Sequence, residues 1–188
     1  MWLPTYAAEV HRQVLRNEGW ARLFGKTTVL VPVPGSSISP EAPPRHEPPH
    51  VRVAPTPWIA ERLGCVLQGI GLGGSVWTGL RRVLPVRKSA TALNADRPTV
   101  RQHYDSFAIT TELPHPRLAE RLVLVDDVIT KGRTIFAAAL RLHEAFPNAD
   151  IRAFALVRTM GFVADITRTL DPCQGVISWV RGDVHREP

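Results

Sequence analysis

The sequence lacks the features of secreted and membrane proteins. It has only two cysteines, Cys65 and Cys173, in 188 residues, which is too few for the disulfide framework of a small secreted domain. No apolar run approaches the length of a membrane-spanning helix, and residues 1–9 lack the basic flank and apolar core of a signal peptide. We therefore expect a soluble cytoplasmic protein with no membrane partner, built as a single domain over residues 1–188.

Several nucleotide-binding motifs are also missing. A Walker A loop needs the order G-x-x-x-x-G-K-[ST], which the stretch from Thr130 to Thr134 does not have. Gly69, Gly71 and Gly74 have the spacing of G-x-G-x-x-G, but they follow a predicted helix and precede a predicted strand, the reverse of the order in dinucleotide-binding folds. No helix-turn-helix or RNA-binding signature stands out. The sequence therefore favours none of these three modes of binding.

Charge and proline are unevenly distributed along the chain. Lys and Arg number 23 against 17 Asp and Glu, a net charge of +6, which suits a polyanionic ligand but does not choose among nucleic acid, lipid and a phosphorylated substrate. Most of the basic excess lies between Arg81 and Arg101. Residues 39–57 are rich in proline, which predicts an extended, exposed segment there.

The most informative stretch is residues 121–137. Its four apolar residues, Leu122–Val125, predict a strand buried on both faces, as in a parallel sheet covered by helices. The acid pair Asp126 and Asp127 follows directly. After a turn that contains two threonines and a glycine, Thr134–Phe146 has the spacing of an amphipathic helix. The order is strand, acidic edge, hydroxyl-rich turn and helix N-terminus.

That order indicates a particular kind of ligand. Open α/β sheets bind ligands beyond the carboxyl ends of their strands, and a helix N-terminus after a glycine-containing turn offers N–H groups to a phosphate. Asp126 and Asp127 would repel the same anion, so the ligand should place hydroxyls or a metal-bound group against them. A sugar 5-phosphate has both parts. A solvated turn or helix cap and a receiver domain are the alternatives, although the later Asp and Lys of a receiver domain are not evident.

Residues Leu122–Thr134 resemble the signature of the type I phosphoribosyltransferase family: an apolar strand, two acids, two apolar residues and a Thr/Ser/Gly turn. The resemblance implies that Asp126 and Asp127 act in catalysis by facing the ribose hydroxyls of phosphoribosyl pyrophosphate. Lys131 stands where the family usually has a small residue, and it either adds charge to the site or points outward. The resemblance implies a 5-phosphate site made of Thr130, Lys131, Gly132, Arg133 and Thr134.

A second buried strand is predicted at Thr27–Val33. It is followed at once by Pro34, Gly35, Ser36 and Ser37. Proline ends the strand, while Gly and Ser supply flexible backbone and hydroxyl donors. In the family the first core strand leads into the loop that holds the pyrophosphate, so the resemblance gives these four residues that role; a plain turn is the alternative. The run Val31–Pro34 is similar to the competence protein F branch of the family, whose Arg-Gly-Phe-Asn stretch this chain lacks.

Residues 87–101 are rich in Ser, Thr, Ala, Asn and Pro, which predicts a mobile basic loop ahead of a strand at Tyr104–Thr110. Type I phosphoribosyltransferases have a flexible catalytic loop in this part of the chain, and such a loop can close over pyrophosphate and exclude water. A solvated charged face is the alternative. The resemblance implies catalytic roles for Lys88 and Arg101 and pyrophosphate contacts for Arg87 and Arg97.

The remaining periodicity completes an α/β pattern. It predicts helices at residues 5–24 and Trp58–Gly69, and strands at Ser75–Val83, Ile151–Val157 and Gly175–Val180. The resemblance implies a type I phosphoribosyltransferase-like fold, in which helices flank a central, mainly parallel sheet. Its core would span about residues 27–158, and the terminal segments would build a small variable hood.

The implied function is Mg²⁺-dependent transfer of the phosphoribosyl group to a nitrogenous base or related acceptor with release of pyrophosphate. Mg²⁺ would be held mainly by phosphoribosyl pyrophosphate, and the implied assembly is a homodimer. An alternative from another class is a non-catalytic protein that binds phosphoribosyl pyrophosphate or a nucleotide and regulates nucleic acid or a protein partner. The basic balance of the chain also suits that alternative.

Overall fold

The computed structural model describes residues 3–38, 57–87, 97–109, 120–159 and 172–187. The helices of these ranges are α1 (Leu3–Arg16), α2 (Glu18–Ala21), α3 (Ile59–Gly69), α4 (Val100–Ser106) and α5 (Arg133–Ala145). The strands are β1 (Val29–Pro32), β2 (Ser75–Val76), β3 (Leu80–Arg82), β4 (Phe107–Ile109), β5 (Arg121–Ile129), β6 (Asp150–Arg158), β7 (Val176–Val180) and β8 (Asp183–Glu187). Within the described ranges, none of the helices has the length and apolar character needed to span a bilayer.

A four-stranded parallel sheet forms the centre of the structure. Its strand order is β2-β1-β5-β6, and all three neighbouring pairs are parallel. Two antiparallel pairs, β3 with β4 and β7 with β8, form separate two-stranded sheets. The predicted α/β architecture, with a parallel sheet flanked by helices, is confirmed. Parallel strands need crossover connections, which here place helices against the sheet.

The core lies on both faces of the parallel sheet, because successive residues of a strand point to opposite sides. Val29 and Leu122 belong to the cluster that includes residues of α4 and α5. Leu30 and Val123 belong to the cluster on the other face, with residues of α1 and α3. All four side chains are fully buried. Burial on both faces explains why these strands are continuously apolar rather than alternating.

The C-terminal hairpin of β7 and β8 packs against α5. Val184 is buried in the same core cluster as the inner residues of that helix. Trp179 stacks on Phe136 of α5, with ring centroids 6.0 Å apart and an interplanar angle of 20°. The hairpin therefore covers the first turns of α5.

Two boundary predictions in the first half of the chain are wrong. The predicted helix at 5–24 is interrupted at Asn17, whose side chain accepts a hydrogen bond from Gly19 N at 2.9 Å and begins the separate helix α2. The predicted strand Ser75–Val83 is two strands in different sheets. Trp77 N still donates to Leu30 O at 2.9 Å, after which the chain leaves β1 and pairs with β4.

The predicted loop at 87–101 is wrong in its last residues. Thr99 and Gln102 form a capping box, in which each side chain bonds the backbone of the other, and the helix α4 follows. The strand predicted to start at Tyr104 therefore starts at Phe107. Lys88, the rest of the loop up to residue 96 and all of the proline-rich segment except Pro57 lie outside the described residues.

Candidate functional site

A cavity of about 280 Å³ lies at the edge of the parallel sheet where β1 ends. It brings together three segments that the sequence assigned to one site. They are the loop Pro34–Ser36, the acid pair Asp126 and Asp127, and the turn residues Thr130, Gly132 and Thr134. Parallel strands present their carboxyl ends at one edge, so the loop after β1 and the acids of β5 meet there although they are far apart in sequence.

The acid pair lies on β5 itself rather than after its end. β1 pairs with β5 only as far as Val125, while β5 continues beside β6 to Ile129, so the acids extend past the last residue of β1. Burial, a hydrogen bond to the side chain of Asp127 and the charge of Asp127 raise the pKa of Asp126 well above its usual value. A raised pKa favours the protonated form of Asp126 more than in a free carboxyl group, and a protonated carboxyl can donate as well as accept hydrogen bonds.

The turn after β5 presents the N-terminus of α5 to the cavity. Gly132 is the N-cap residue of this helix, with φ at 90°, and no side chain of the described residues caps it. An added Cβ at Gly132 would come within 3.1 Å of Ile177 on the hairpin. Glycine therefore serves both the left-handed backbone and the close approach of β7. The amide groups of the first turn remain available to an anion.

Arg82, at the end of β3, supports the loop after β1. Only 1% of its surface is exposed, and its guanidinium donates to Gly35 O, to Pro34 O at 3.3 Å and to the Ser106 hydroxyl. It also lies over the ring of Phe107, 4.2 Å from the centroid. Burial lowers the pKa of Arg82 to about 10, and the nearby charge of Asp126 opposes that shift, so Arg82 stays charged. It fixes the loop and faces the acid pair with a positive charge.

His103, on α4, is a second polar cavity residue, after Arg82, that the sequence did not assign. It is 2% exposed, and its Nε2 lies 3.3 Å from the hydroxyl oxygen of Thr134. Burial and the charges of Arg82 and Arg133 lower the pKa of His103 to about 4. The imidazole is therefore neutral at pH 7.

The sequence contains a pattern that indicates the position of each of these residues, Arg82 and His103. Leu80 and Arg82 share one face of a strand, so one arginine of the Arg81-Arg82 pair had to face inward. Thr99 and Gln102 have the spacing of a capping box, which places His103 in the first turns of a helix.

The other predicted basic residues differ in position. Arg87 lines the cavity, and Val86 N donates to Ser36 O at 2.9 Å, which ties its segment to the loop after β1. Arg101 does not line the cavity; it is exposed on α4, where its Nε donates to Asp105 at 2.8 Å. The backbone carbonyl of Arg97 faces Arg133 at 3.5 Å.

Three more predicted contacts are not part of the cavity lining: Ser37, Lys131 and Arg133. Arg133 forms a two-point ion pair with Asp183 of β8, at 2.7 and 2.5 Å. Lys131 Nζ lies 3.8 Å from the same carboxylate. Both cations of the turn therefore contact the hairpin rather than the cavity.

No protein-family model matches this chain, and no curated protein or solved structure matches it significantly. What the site binds must therefore be inferred from its own groups. The cavity offers a helix N-terminus with two hydroxyls, a pair of adjacent carboxyl groups, and a loop backed by arginine. This combination suits a ligand that carries both phosphate and hydroxyl groups.

The acid pair could supply one or two oxygen ligands to Mg²⁺ in this cavity. Carboxylate oxygens are its preferred protein ligands, usually one or two per ion together with substrate phosphates. Within the part of the chain that the structure describes, no group of three or more His, Cys, Asp and Glu side chains could hold a metal. Two carboxyl groups match the number that Mg²⁺ usually takes from a protein when a bound phosphate compound supplies other ligands.

Proposed function

We propose that the protein is a Mg²⁺-dependent phosphoribosyltransferase with a type I phosphoribosyltransferase-like fold. It would transfer the phosphoribosyl group of phosphoribosyl pyrophosphate to a nitrogenous acceptor and release pyrophosphate. The observation that carries the proposal is the meeting, in one cavity, of the loop after β1, the acid pair and the turn before α5. In the proposal these three segments bind, in that order, the pyrophosphate, the ribose hydroxyls and the 5-phosphate.

The turn before α5 binds the 5-phosphate in this proposal. The first-turn amides of α5 donate to its oxygens and the helix dipole favours its charge. Thr130 and Thr134 add hydroxyl donors from the same side of the cavity. Because Lys131 and Arg133 are held by Asp183, recognition comes mainly from neutral donors.

The acid pair binds the ribose ring. Asp126 and Asp127 accept hydrogen bonds from its hydroxyls. When the bond between C1 and the pyrophosphate oxygen breaks, positive charge develops on the ring. The nearby carboxylate charge favours that transition state over the ground state.

In this proposal the leaving pyrophosphate contacts the loop Pro34–Ser36 and Arg87, which line the cavity. Pyrophosphate leaves with the bonding electron pair, the acceptor nitrogen forms the new bond to C1, and this nitrogen then releases its proton to the solvent. The acid pair would hold Mg²⁺ together with the bound ligand, and the ion would supply charge neutralisation at the phosphate groups. The role of Arg82 is to hold Pro34 and Gly35 in place through their carbonyls.

Isothermal titration calorimetry with phosphoribosyl pyrophosphate, with and without Mg²⁺, tests whether the protein binds this compound. We expect Mg²⁺-dependent binding to the wild type and its loss in the variant Asp126→Asn, Asp127→Asn. Asp105→Asn is the matched control, because Asp105 is exposed on α4 and, among the described residues, its side chain pairs with Arg101. A folded wild type that does not bind would contradict the proposal.

Pyrophosphate release in the presence of a panel of purine, pyrimidine and other nitrogenous bases tests the transfer. Release that depends on one class of base would identify the acceptor. Binding without release for any base would instead favour the alternative of a non-catalytic binding protein. Wild-type turnover in the double variant would remove the acid pair from the mechanism.

A further inference from the structure

The His103 ring makes its only hydrogen-bond contact of the described residues with Thr134. Its Nε2 lies 3.3 Å from Thr134 Oγ1, at the beginning of α5. The ring of Phe107 is stacked with it, with centroids 6.5 Å apart and an interplanar angle of 21°. The capping box at Thr99 fixes the start of the helix that carries His103. The ring is therefore aimed at the hydroxyl by well-packed neighbours.

The other ring nitrogen is buried without a partner. His103 Nδ1 makes no hydrogen bond within the described part of the chain, although the side chain is 98% buried, as its 2% exposure shows. Buried N–H groups without an acceptor are rarer in proteins than buried acceptors that lack a full set of donors. Since the ring is neutral, with its pKa lowered to about 4, it carries one proton. The environment favours that proton on Nε2.

The position of this proton decides what Thr134 can do. If Nε2 accepts, the threonine hydroxyl donates its hydrogen bond to the histidine and presents its lone pairs to the cavity. These lone pairs repel an anion. If Nε2 donates, the hydroxyl accepts from His103 and its own proton is free for a ligand oxygen. The second arrangement forms a chain of hydrogen bonds from imidazole to hydroxyl to ligand.

We propose that His103 is a positioning residue for phosphate recognition: its Nε2–H donates to Thr134, and the Thr134 hydroxyl is thereby fixed as a donor to a phosphate oxygen in the cavity. This inference rests on the proposed function, in which the turn before α5 binds the 5-phosphate. It adds a residue that the sequence motif does not contain. The acidic groups of the cavity, Asp126 and Asp127, are on β5 and do not serve as acceptors for this ring in the structure.

Nitrogen-15 NMR of the histidine side chains in the full chain tests the proton position directly. The probes are inorganic phosphate and ribose 5-phosphate, added to the wild type at pH 7. We expect the spectrum of His103 in the bound state to show a proton on Nε2 and none on Nδ1. A bound state with the proton on Nδ1 would overturn the proposal.

Binding of ribose 5-phosphate to four variants tests the consequence. Thr134→Val and His103→Leu should each weaken binding about tenfold, and the double variant should bind no worse than Thr134→Val alone, because both remove the same bond. His103→Gln should retain most of the affinity, since its amide can donate from near the position of Nε2. His143→Gln, on the exposed side of α5, is the control.

The outcomes distinguish failure of the phosphate site from failure of the role of His103. If the wild type binds neither phosphate probe, the phosphate site fails and this inference fails with it. If Thr134→Val weakens binding while His103→Leu and His103→Gln bind like the wild type, the site stands and the role of His103 is wrong. If the losses of binding free energy in Thr134→Val and His103→Leu add fully in the double variant, the proposed coupling between the two residues is also wrong. The NMR measurement is made on the wild type and does not depend on folding of the variants.

Discussion

Arg133 and Asp183 form a two-point ion pair across 50 positions of sequence, and it joins the first residue of α5 to the first residue of β8. Arg133 also donates to the carbonyl of Pro98 at 3.4 Å. One guanidinium thus connects the turn, the C-terminal hairpin and the segment before α4. Its geometry is the planar fork that suits arginine and carboxylate.

Asp183→Asn should loosen the hairpin. The ion pair lowers the pKa of Asp183 to about 2, so its contribution to folding is fully present above about pH 4 and is lost as the pH falls towards 2. Because the carboxylate is partly exposed, we expect a loss of at most about 1 kcal/mol at pH 7. Hydrogen exchange should quicken at residues 176–187. Unchanged exchange there would show that apolar packing alone holds the hairpin.

Arg82→Met should destabilise the protein by about 3 kcal/mol, because it leaves buried acceptors at Pro34 and Gly35 without their donor. Arg81→Met is a matched control on the same strand. Arg81 contacts the ring of Trp58 at 5.7 Å and makes a smaller contribution, below about 1 kcal/mol. Urea unfolding of both variants measures the difference. Equal losses would mean that the hydrogen bonds of Arg82 do not hold the loop.

Asp126→Asn should stabilise the ligand-free protein at neutral pH. The folded-state pKa of Asp126 is raised, so its contribution to stability is fully present below its unfolded value and is lost as the pH rises through the folded value. Asn cannot ionise, so the variant avoids the cost of burying the carboxylate charge. The free energy of unfolding of the variant should therefore exceed that of the wild type by a margin that grows from pH 4 upwards. Urea unfolding across that range measures it. A constant difference would mean that Asp126 is ionised in the cavity.

His103 should make the protein sensitive to mild acid. The folded-state pKa is lowered from 6.5 to about 4, so the unfolded chain takes up the proton first and stability falls as the pH drops from 6.5 to 4. The expected loss is about 2–3 kcal/mol over that range. Thermal unfolding of His103→Gln should show a flatter profile, whereas His143→Gln should follow the wild type. Parallel profiles for His103→Gln and the wild type would contradict the burial of an unprotonated ring.

Gly132→Ala should weaken both folding and phosphate binding. The backbone at Gly132 is left-handed, and the new methyl group would meet Ile177, so we expect a loss of roughly 1–2 kcal/mol. Gly69→Ala is the control, since it lies in a helix with open space around it. Unfolding and ribose 5-phosphate titration measure the two effects. A stable variant with normal affinity would show that the turn tolerates a side chain.

The sequence predicted the central features because each depends on a local pattern. The run Leu122–Val125 is apolar because both faces of the strand are buried. The spacing of apolar residues predicts a helix from Thr134, and the structure begins this helix one residue earlier, at Arg133. What sequence patterns do not show is pairing between distant segments. Arg133 was assigned to the phosphate by position in the turn, yet Asp183 competes for it from a strand that was not predicted. Arg82 and His103 become cavity residues only when β3 and α4 pack against the edge of the sheet.

The cavity wall comes from separate stretches of chain, from Val33 through Arg82 and His103 to Ile135. Such a site does not exist in the unfolded chain, so a ligand that fills it shifts the folding equilibrium by mass action. At one hundred times its dissociation constant, a ligand would add about 2.7 kcal/mol to the free energy of unfolding. The melting temperature of the unlabelled protein therefore responds to any compound that occupies the cavity, including an acceptor whose chemistry is unknown.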